Sequence, residues 1–325
     1  SDKINSVAEC SDGGIIAGGY FSRSIDLGNG VSLTYKGSYD GMIIKYSAGG
    51  ECEWAKRIGG SSNDEINSVA EIRDGGIIAG GYFKSSSIDF GNGITLTNKD
   101  TDYSDGMIIK YNENGECEWA KGIGGSDHDS IKSVVETSDG GYVAGGYFKS
   151  SSIDLENGIS LSNEGSEDGM IIKYSEEGEI EWAKGIGGSF EDTINSVAET
   201  SDGGYVAGGY FKSSSIDLEN GVVLNNQSKS TDYGDGMIIK YSSAGEVEWS
   251  KVIGGSDRDS ISSVTETSDG GIIAGGDFNS SSIDLGNGVS LGSKGNEDGM
   301  IIKYNSDGEC EWAKGIGNNY NESIY

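Results

Sequence analysis

Asp40–Tyr46 reads DGMIIKY, and the same seven letters return as Asp105–Tyr111, Asp168–Tyr174, Asp235–Tyr241 and Asp298–Tyr304. From the Asp of each of the first four copies to a Phe downstream the distance is constant: Asp40–Phe83, Asp105–Phe148, Asp168–Phe211 and Asp235–Phe278 are each 44 residues. All length variation falls between that Phe and the next DGM, in segments of 18, 21, 19, 23 and 19 residues. A repeat of this size is one supersecondary unit used in tandem. The constant frame is architecture, and the variable segment lies where insertions are tolerated, on the surface.

In the second repeat the frame reads as four strands: Ile66–Glu71, Ile77–Phe83, Met107–Tyr111 and Glu116–Lys121. Asp-Gly-Gly joins the first two, and Glu113-Asn114-Gly115 joins the last two with Gly in the left-handed place. That turn predicts Tyr111 opposite Cys117, Lys110 opposite Glu118 and Ile109 opposite Trp119. Met, the second Ile and Tyr then face a core, and Lys–Glu pairs lie across the exposed face, with Trp119 fully buried. The variable segment carries Asn-Gly between short apolar runs, at Asn29, Asn92, Asn157, Asn220 and Asn287, a hairpin signal of its own. Read as a surface loop, the hairpin Ser87–Leu96 would be removable without loss of the fold.

Glycine supplies 56 residues and proline none, so glycine alone makes the tight turns. With 53 acidic and 23 basic residues the formal charge is -30, which repels nucleic-acid phosphates and anionic membranes and attracts cations or basic partners. No apolar run has the length of a membrane span. Cys52, Cys117 and Cys310 share a slot that holds Ile180 and Val247 in the other repeats, so these thiols read as small apolar groups and, with Cys10, are expected to be free of disulfides.

Tandem four-stranded units are the signature of an all-β fold, the β-propeller. The glycine doublet ending the second strand (Gly80-Gly81), the Tyr ending the third and the Trp in the fourth resemble kelch blades. The larger pattern, DGMIIKY, then GE-x-EWAK-x-IGG, then SVAETSDGGYVAGGYF, resembles the bacterial secreted propeller repeats called SBBP repeats along the whole chain. That resemblance implies a propeller in the extracellular space or on a cell surface. The expected architecture is one domain, 1–325, of five four-stranded blades near 1–59, 60–124, 125–187, 188–254 and 255–325, closed as a ring with the first strand innermost and the fourth outermost. An open β-repeat array is the alternative.

The only histidine, His128, would have to carry any Ser-His-Asp relay, and its counterparts are Asn63, Glu191 and Arg258. Zinc lacks its His and Cys cluster. Paired carboxylates could support hydrolysis, but no repeat shows a singular acidic pair. The chain therefore reads as non-enzymatic, needing no cofactor. The loops between fourth and first strands offer Asp127, Asp129, Asp257 and Asp259 either to Ca²⁺ or to capping of local amides. Those loops and the insertions emerge at one end of the sheets, the expected binding face. There Asp64, Asp129, Asp192 and Asp259, with the insertion tyrosines Tyr103 and Tyr233, are candidates to line shallow sites between neighbouring blades for a glycan or protein ligand. The other function class is a structural surface protein that assembles without a small ligand.

Overall fold

The computed structural model describes residues 2–228, 232–295 and 297–318. Five four-stranded antiparallel sheets account for the frames, each in the order first, second, third, fourth strand. Sheet two comprises Asp64–Glu71, Ile77–Phe83, Asp105–Tyr111 and Cys117–Ile123. The fold is thus all-β and of the propeller class, five blades of the expected strand order. Each insertion adds a two-stranded hairpin. The chain divides into two compact units: Ser1–Ala144, Phe148–Ser162 and Lys173–Glu181 form one, and Gly145–Tyr147, Asn163–Ile172 and Trp182–Tyr325 the other. Sheets one and two lie in the first unit, sheets four and five in the second.

The turns follow their glycines. Gly50, Gly115, Gly178, Gly245 and Gly308 all have φ between +71 and +79°. In the insertions both residues of each Asn-Gly pair take positive φ, as at Asn92 (54°) and Gly93 (80°), the type I′ pattern that matches strand twist.

The third-to-fourth strand register departs from the sequence reading. Tyr111 does face Cys117, but Lys110 faces Trp119 and Ile109 faces Ala120. Glu118 is the extra residue of a β-bulge, and the same shift recurs in sheets one, four and five. The bulge kinks the strand, and the lysine, expected at the surface, is drawn in. Lys110 is 6% exposed and Lys173 1%. Each lysine lies between two carboxylates, its bulged Glu and the Asp of the Asp-Gly-Gly turn: Lys173 Nζ is 3.0 Å from Asp139 and 3.3 Å from Glu181. All seven residues of the repeated heptapeptide are buried in sheets two, three and four. Both faces of this strand are covered, which explains why its sequence tolerates no change among the repeats.

Trp119 is half-buried rather than enclosed. It packs over Gly178, where an added Cβ would stand 2.9 Å from the indole, and against Tyr142 at 5.6 Å. The four cysteines are buried and free.

The insertion hairpin is also more than a surface loop. Ile88 and Leu96 are 2% and 7% exposed and belong to the core of sheet two, with Phe90 and Ile94 packed against them. Ile153 with Leu161, Ile216 with Leu224 and Ile283 with Leu291 repeat this anchoring. Deleting Ser87–Leu96 should therefore destabilise the protein. Burial of two such side chains contributes roughly 3–6 kcal/mol, and a thermal melt of the deletion variant matching the parent would refute the assignment.

Candidate functional site

The Asp that opens the first strand of sheets two to five is at 0% exposure at Asp64, Asp129, Asp192 and Asp259. Asp129 accepts four hydrogen bonds, from the amides of Gly125, Lys149 and Ser150 and from the Ser150 hydroxyl at 2.7 Å. Asp64 has the same four donors in Gly60, Lys84, Ser85 and the Ser85 hydroxyl. Four donors fill the acceptor capacity of a carboxylate. This corrects the expectation that these residues line shallow sites: they tie the loop before the first strand to the end of the second, inside the protein. Asp127 and Asp257 lie at the loop tips, where their backbone amides donate to the Ser150 and Ser280 hydroxyls. Among the described residues no three His, Cys, Asp or Glu side chains gather as a cation site.

Beside each buried Asp stands the first Asp of a DGMIIKY strand. Both Asp40 Oδ1 and Asp64 Oδ2 approach the point where a Gly59 Cβ would stand, to 2.4 and 2.8 Å. Glycine is required there because the carboxyl of Asp40 fills the space. Gly124, Gly187 and Gly254 play the same part for Asp105, Asp168 and Asp235. One oxygen of each takes a backbone amide, as Lys99 N–H to Asp105 Oδ2, while Oδ1 of Asp40, Asp105, Asp168, Asp235 and Asp298 is buried without a hydrogen-bond partner. Burial pushes the Asp105 and Asp129 carboxyls up to about 6 and Asp168 to about 7. Carboxylate pairs thus do form in the repeats, but a substrate cannot reach them.

The surface differs from repeat to repeat at the end of the sheets where the first strand begins and the second ends. Three positions carry most of the change. The residue before the buried Asp is Asn63, His128, Glu191 or Arg258; the residue before DGM is Tyr39, Ser104, Glu167, Gly234 or Glu297; the residue before the closing Phe is Tyr20, Tyr82, Tyr147, Tyr210 or, once, Asp277. In the first unit these positions make an aromatic cluster. The rings of Tyr20 and Tyr39 meet at a tilt, centroids 4.8 Å apart, and the Tyr39 hydroxyl meets that of Tyr82, which donates to Glu65. His128 Nδ1 lies 2.9 Å from the Ser104 hydroxyl and accepts from the Ser104 amide. A catalytic relay would set a carboxylate on the ring nitrogen away from the serine, and none appears there among the described contacts. Tyr103 stands edge-on to His128 at 5.2 Å.

In the second unit the one repeat with Asp in place of Tyr borders a pocket. Asn195, Tyr210, Arg258, Ser260, Ser262 and Asp277 line about 350 Å³, within the range of small-molecule sites. Asn195 and Ser262 are bulge residues of their first strands, set outside the ladder register. Asp277 is 8% exposed and its Oδ2 has no hydrogen-bond partner. Burial raises its carboxyl, with Arg258 opposing and Glu297 reinforcing the shift. A carboxyl, a guanidinium, an amide, two hydroxyls and a phenol therefore line one pocket. Tyr233, 41% exposed on its insertion, lies outside this lining. The sequence signal for the pocket is GGDF at Gly275–Phe278 against GGYF in the other four repeats.

No known family's sequence model matches the chain. An uncharacterized WD repeat-containing protein of Acanthamoeba polyphaga mimivirus is 27% identical over 154 residues, 45% of this chain and 11% of that protein. The regulatory protein FlaEY of Caulobacter vibrioides is 21% identical over 206 residues, 61% of this chain and 21% of that protein. The chain thus spans a small part of the curated relatives it matches. Among solved structures, the WD40 domain of Neurospora crassa Pan2 aligns over 99% of this chain and 81% of its own, with 11% identity and a TM-score of 0.38. No helix among the described residues is long and apolar enough to cross a membrane. By its five four-stranded repeats, the chain is a propeller-like repeat protein.

Proposed function

We propose that this chain is a non-enzymatic binding module of the secreted bacterial repeat type, acting outside the cell or at its surface, and that its ligand is a polyhydroxylated group such as a glycan. One observation carries the reading: Asp277, whose Oδ2 is buried without a partner, lines a pocket with Arg258 in the one repeat that loses its tyrosine. Vicinal hydroxyls donate and accept at once, so they pair with a carboxylate and a guanidinium set side by side. The phenol ring of Tyr210 offers an apolar face to a sugar ring. Binding is then centred on one site, rather than repeated equally on five blades.

A glycan array followed by calorimetry on the best binder tests this. Asp277→Tyr restores the residue of the other repeats and should fill the pocket while preserving the thermal midpoint. Affinity should fall at least about tenfold, the scale of one lost charge-assisted contact of about 1.4 kcal/mol or more. Arg258→Asn, again a residue of another repeat, should act in the same direction. Undiminished binding by both variants would place the ligand elsewhere.

A further inference from the structure

Two residues of the first repeat break the repeat pattern, and they line the same pocket. Arg57 stands near the end of the fourth strand, Cys52–Ile58, where the other repeats have Gly122, Gly185, Val252 and Gly315. Tyr35 follows the insertion hairpin, where the others have Asn98, Asn163, Asn226 and Ser293. With Ser32, Leu33, Thr34 and Lys36 these two bound about 430 Å³.

The backbone under this pocket is common to all five repeats. The Lys36 amide donates to Asp40 Oδ2, as the amides of Lys99, Glu164, Gln227 and Lys294 donate to the Asp that opens their own DGMIIKY strands. A Cβ at Gly37 would stand 2.3 Å from the Ser62 carbonyl oxygen, and Tyr39 bridges to Asn63, so the segment is seated on the loop before sheet two. All of these first-repeat and loop residues belong to the first compact unit. What differs is the side chains. Lys99 Nζ is taken up by the Gly124 carbonyl, whereas among the described residues Lys36 Nζ has neither an ion pair nor a hydrogen bond. Arg57 meets Asp40 through one nitrogen, Nη1 at 3.7 Å from Oδ2, and a guanidinium has five N–H donors to offer. Asp40 is itself at 0% exposure, and no acidic side chain lines the pocket.

In a chain where acids outnumber bases 53 to 23, a lining with two cations and no acid concentrates anions locally. Guanidinium and ammonium donate charge-assisted hydrogen bonds to oxyanions. Tyr35 is 45% exposed and offers a ring face, and Ser32 and Thr34 offer hydroxyls that donate and accept. We infer that this pocket is a second binding site, independent of the reading at Asp277, and that it takes an anionic saccharide: a sugar ring bearing a sulfate, phosphate or carboxylate. Lys36 and Arg57 hold the anion, and Tyr35 carries the ring.

Calorimetry on the intact chain with a glucose sulfate, a glucose phosphate, glucuronic acid, neutral glucose and inorganic sulfate reads the outcome. The expected result is saturable binding of at least one charged sugar, with none of glucose. Arg57→Gly, Lys36→Gln and Tyr35→Asn each install the residue of another repeat on the same backbone, so each should keep the parent's circular dichroism. The first two should each weaken the charged sugar by at least about fivefold, and Tyr35→Asn should reduce its affinity to that of the inorganic ion. Asp277→Tyr should leave it unchanged, which separates this site from the other. A chain that binds no charged sugar overturns the proposal, as does glucose bound equally well or affinity that both charge variants retain. Inorganic sulfate held as tightly as the glucose sulfate also overturns it, because the ring then adds nothing. Loss of the charged sugar in Asp277→Tyr would assign it to the other pocket and overturn this one.

Discussion

Asp129→Ala is expected to be among the most damaging single substitutions in this protein, lowering stability by on the order of 4 kcal/mol. The side chain is at 0% exposure and receives three backbone amides and one hydroxyl. Removing it strands donors on Gly125, Lys149 and Ser150 in a place water does not reach. A hydrogen bond to a charged group contributes about 1.5–3 kcal/mol, and a buried donor left unpaired costs about 1–3 kcal/mol. Asp129→Asn keeps the shape but points an NH₂ group at existing donors, so it should rescue little. Urea titration followed by tryptophan fluorescence measures the effect. Because repeat arrays can unfold in stages, the first transition is the one to compare. A loss below about 1 kcal/mol would mean the loop is held by something other than this carboxylate.

The second large effect is on pH dependence. Burial raises both members of each buried pair: Asp129, Asp192 and Asp259 to about 6 against the four donors each receives, and beside them the Asp of DGMIIKY, whose Oδ1 has no donor. Burial raises Asp168 to about 7, with Asp192, Glu164 and Glu167 adding repulsion against the one amide it accepts, from Glu164. Asp105 rises to about 6, with Lys99 opposing and Asp100 reinforcing, and Asp235 to about 6 beside Asp259. In an unfolded chain these groups ionise near pH 4. Between those limits the folded state holds protons that the unfolded state has released, so stability falls as pH rises from about 4 to about 7 and levels off above. The turn aspartates act in the opposite sense. Asp139 and Asp202 are lowered to about 2: partial burial opposes the shift, and it is outweighed by the threonine hydroxyls, the turn amides and the buried lysines. Their contribution is lost as pH falls from about 4 towards 2. The midpoint should therefore peak near pH 4–5 and drop by on the order of 10 °C by about pH 8, taking about 1.4 kcal/mol for each unit of raised pKa. Relief of the surface charge has the same sign, so a variant must separate the two. Asp168→Asn should melt above the parent at about pH 8 and level with it at about pH 5. The exposed Glu177→Gln should shift both conditions alike. An Asp168→Asn protein weakened equally at both values would show that the fold needs the anion.

Much of the blade was legible in one dimension because its causes are local. A constant 44-residue frame, Asn-Gly turns with positive φ and glycine at each tight turn depend only on neighbours in the chain. The strand order and the slot-filling role of the cysteines follow from the same alternation. The register beyond Tyr111 was not legible, because a bulge costs one residue of phase and is decided by whether the buried lysine can reach two half-exposed carboxylates at once. Nor was the burial of Asp129, since an aspartate in a Ser-Asp-His-Asp loop looks the same in sequence whether it faces water or four donors. The insertion hairpins, read as surface, became core when Ile88 and Leu96 found the flank of sheet two. The pocket was half visible: Asp277 in place of tyrosine is a plain break in the repeat, but only packing shows that Arg258 and Tyr210 line one pocket with it. What the sequence by itself determined are the turns and the repeat. Tertiary structure alone decided which polar groups are paid for by partners and which are left bare, because desolvation depends on atoms that arrive from distant parts of the chain.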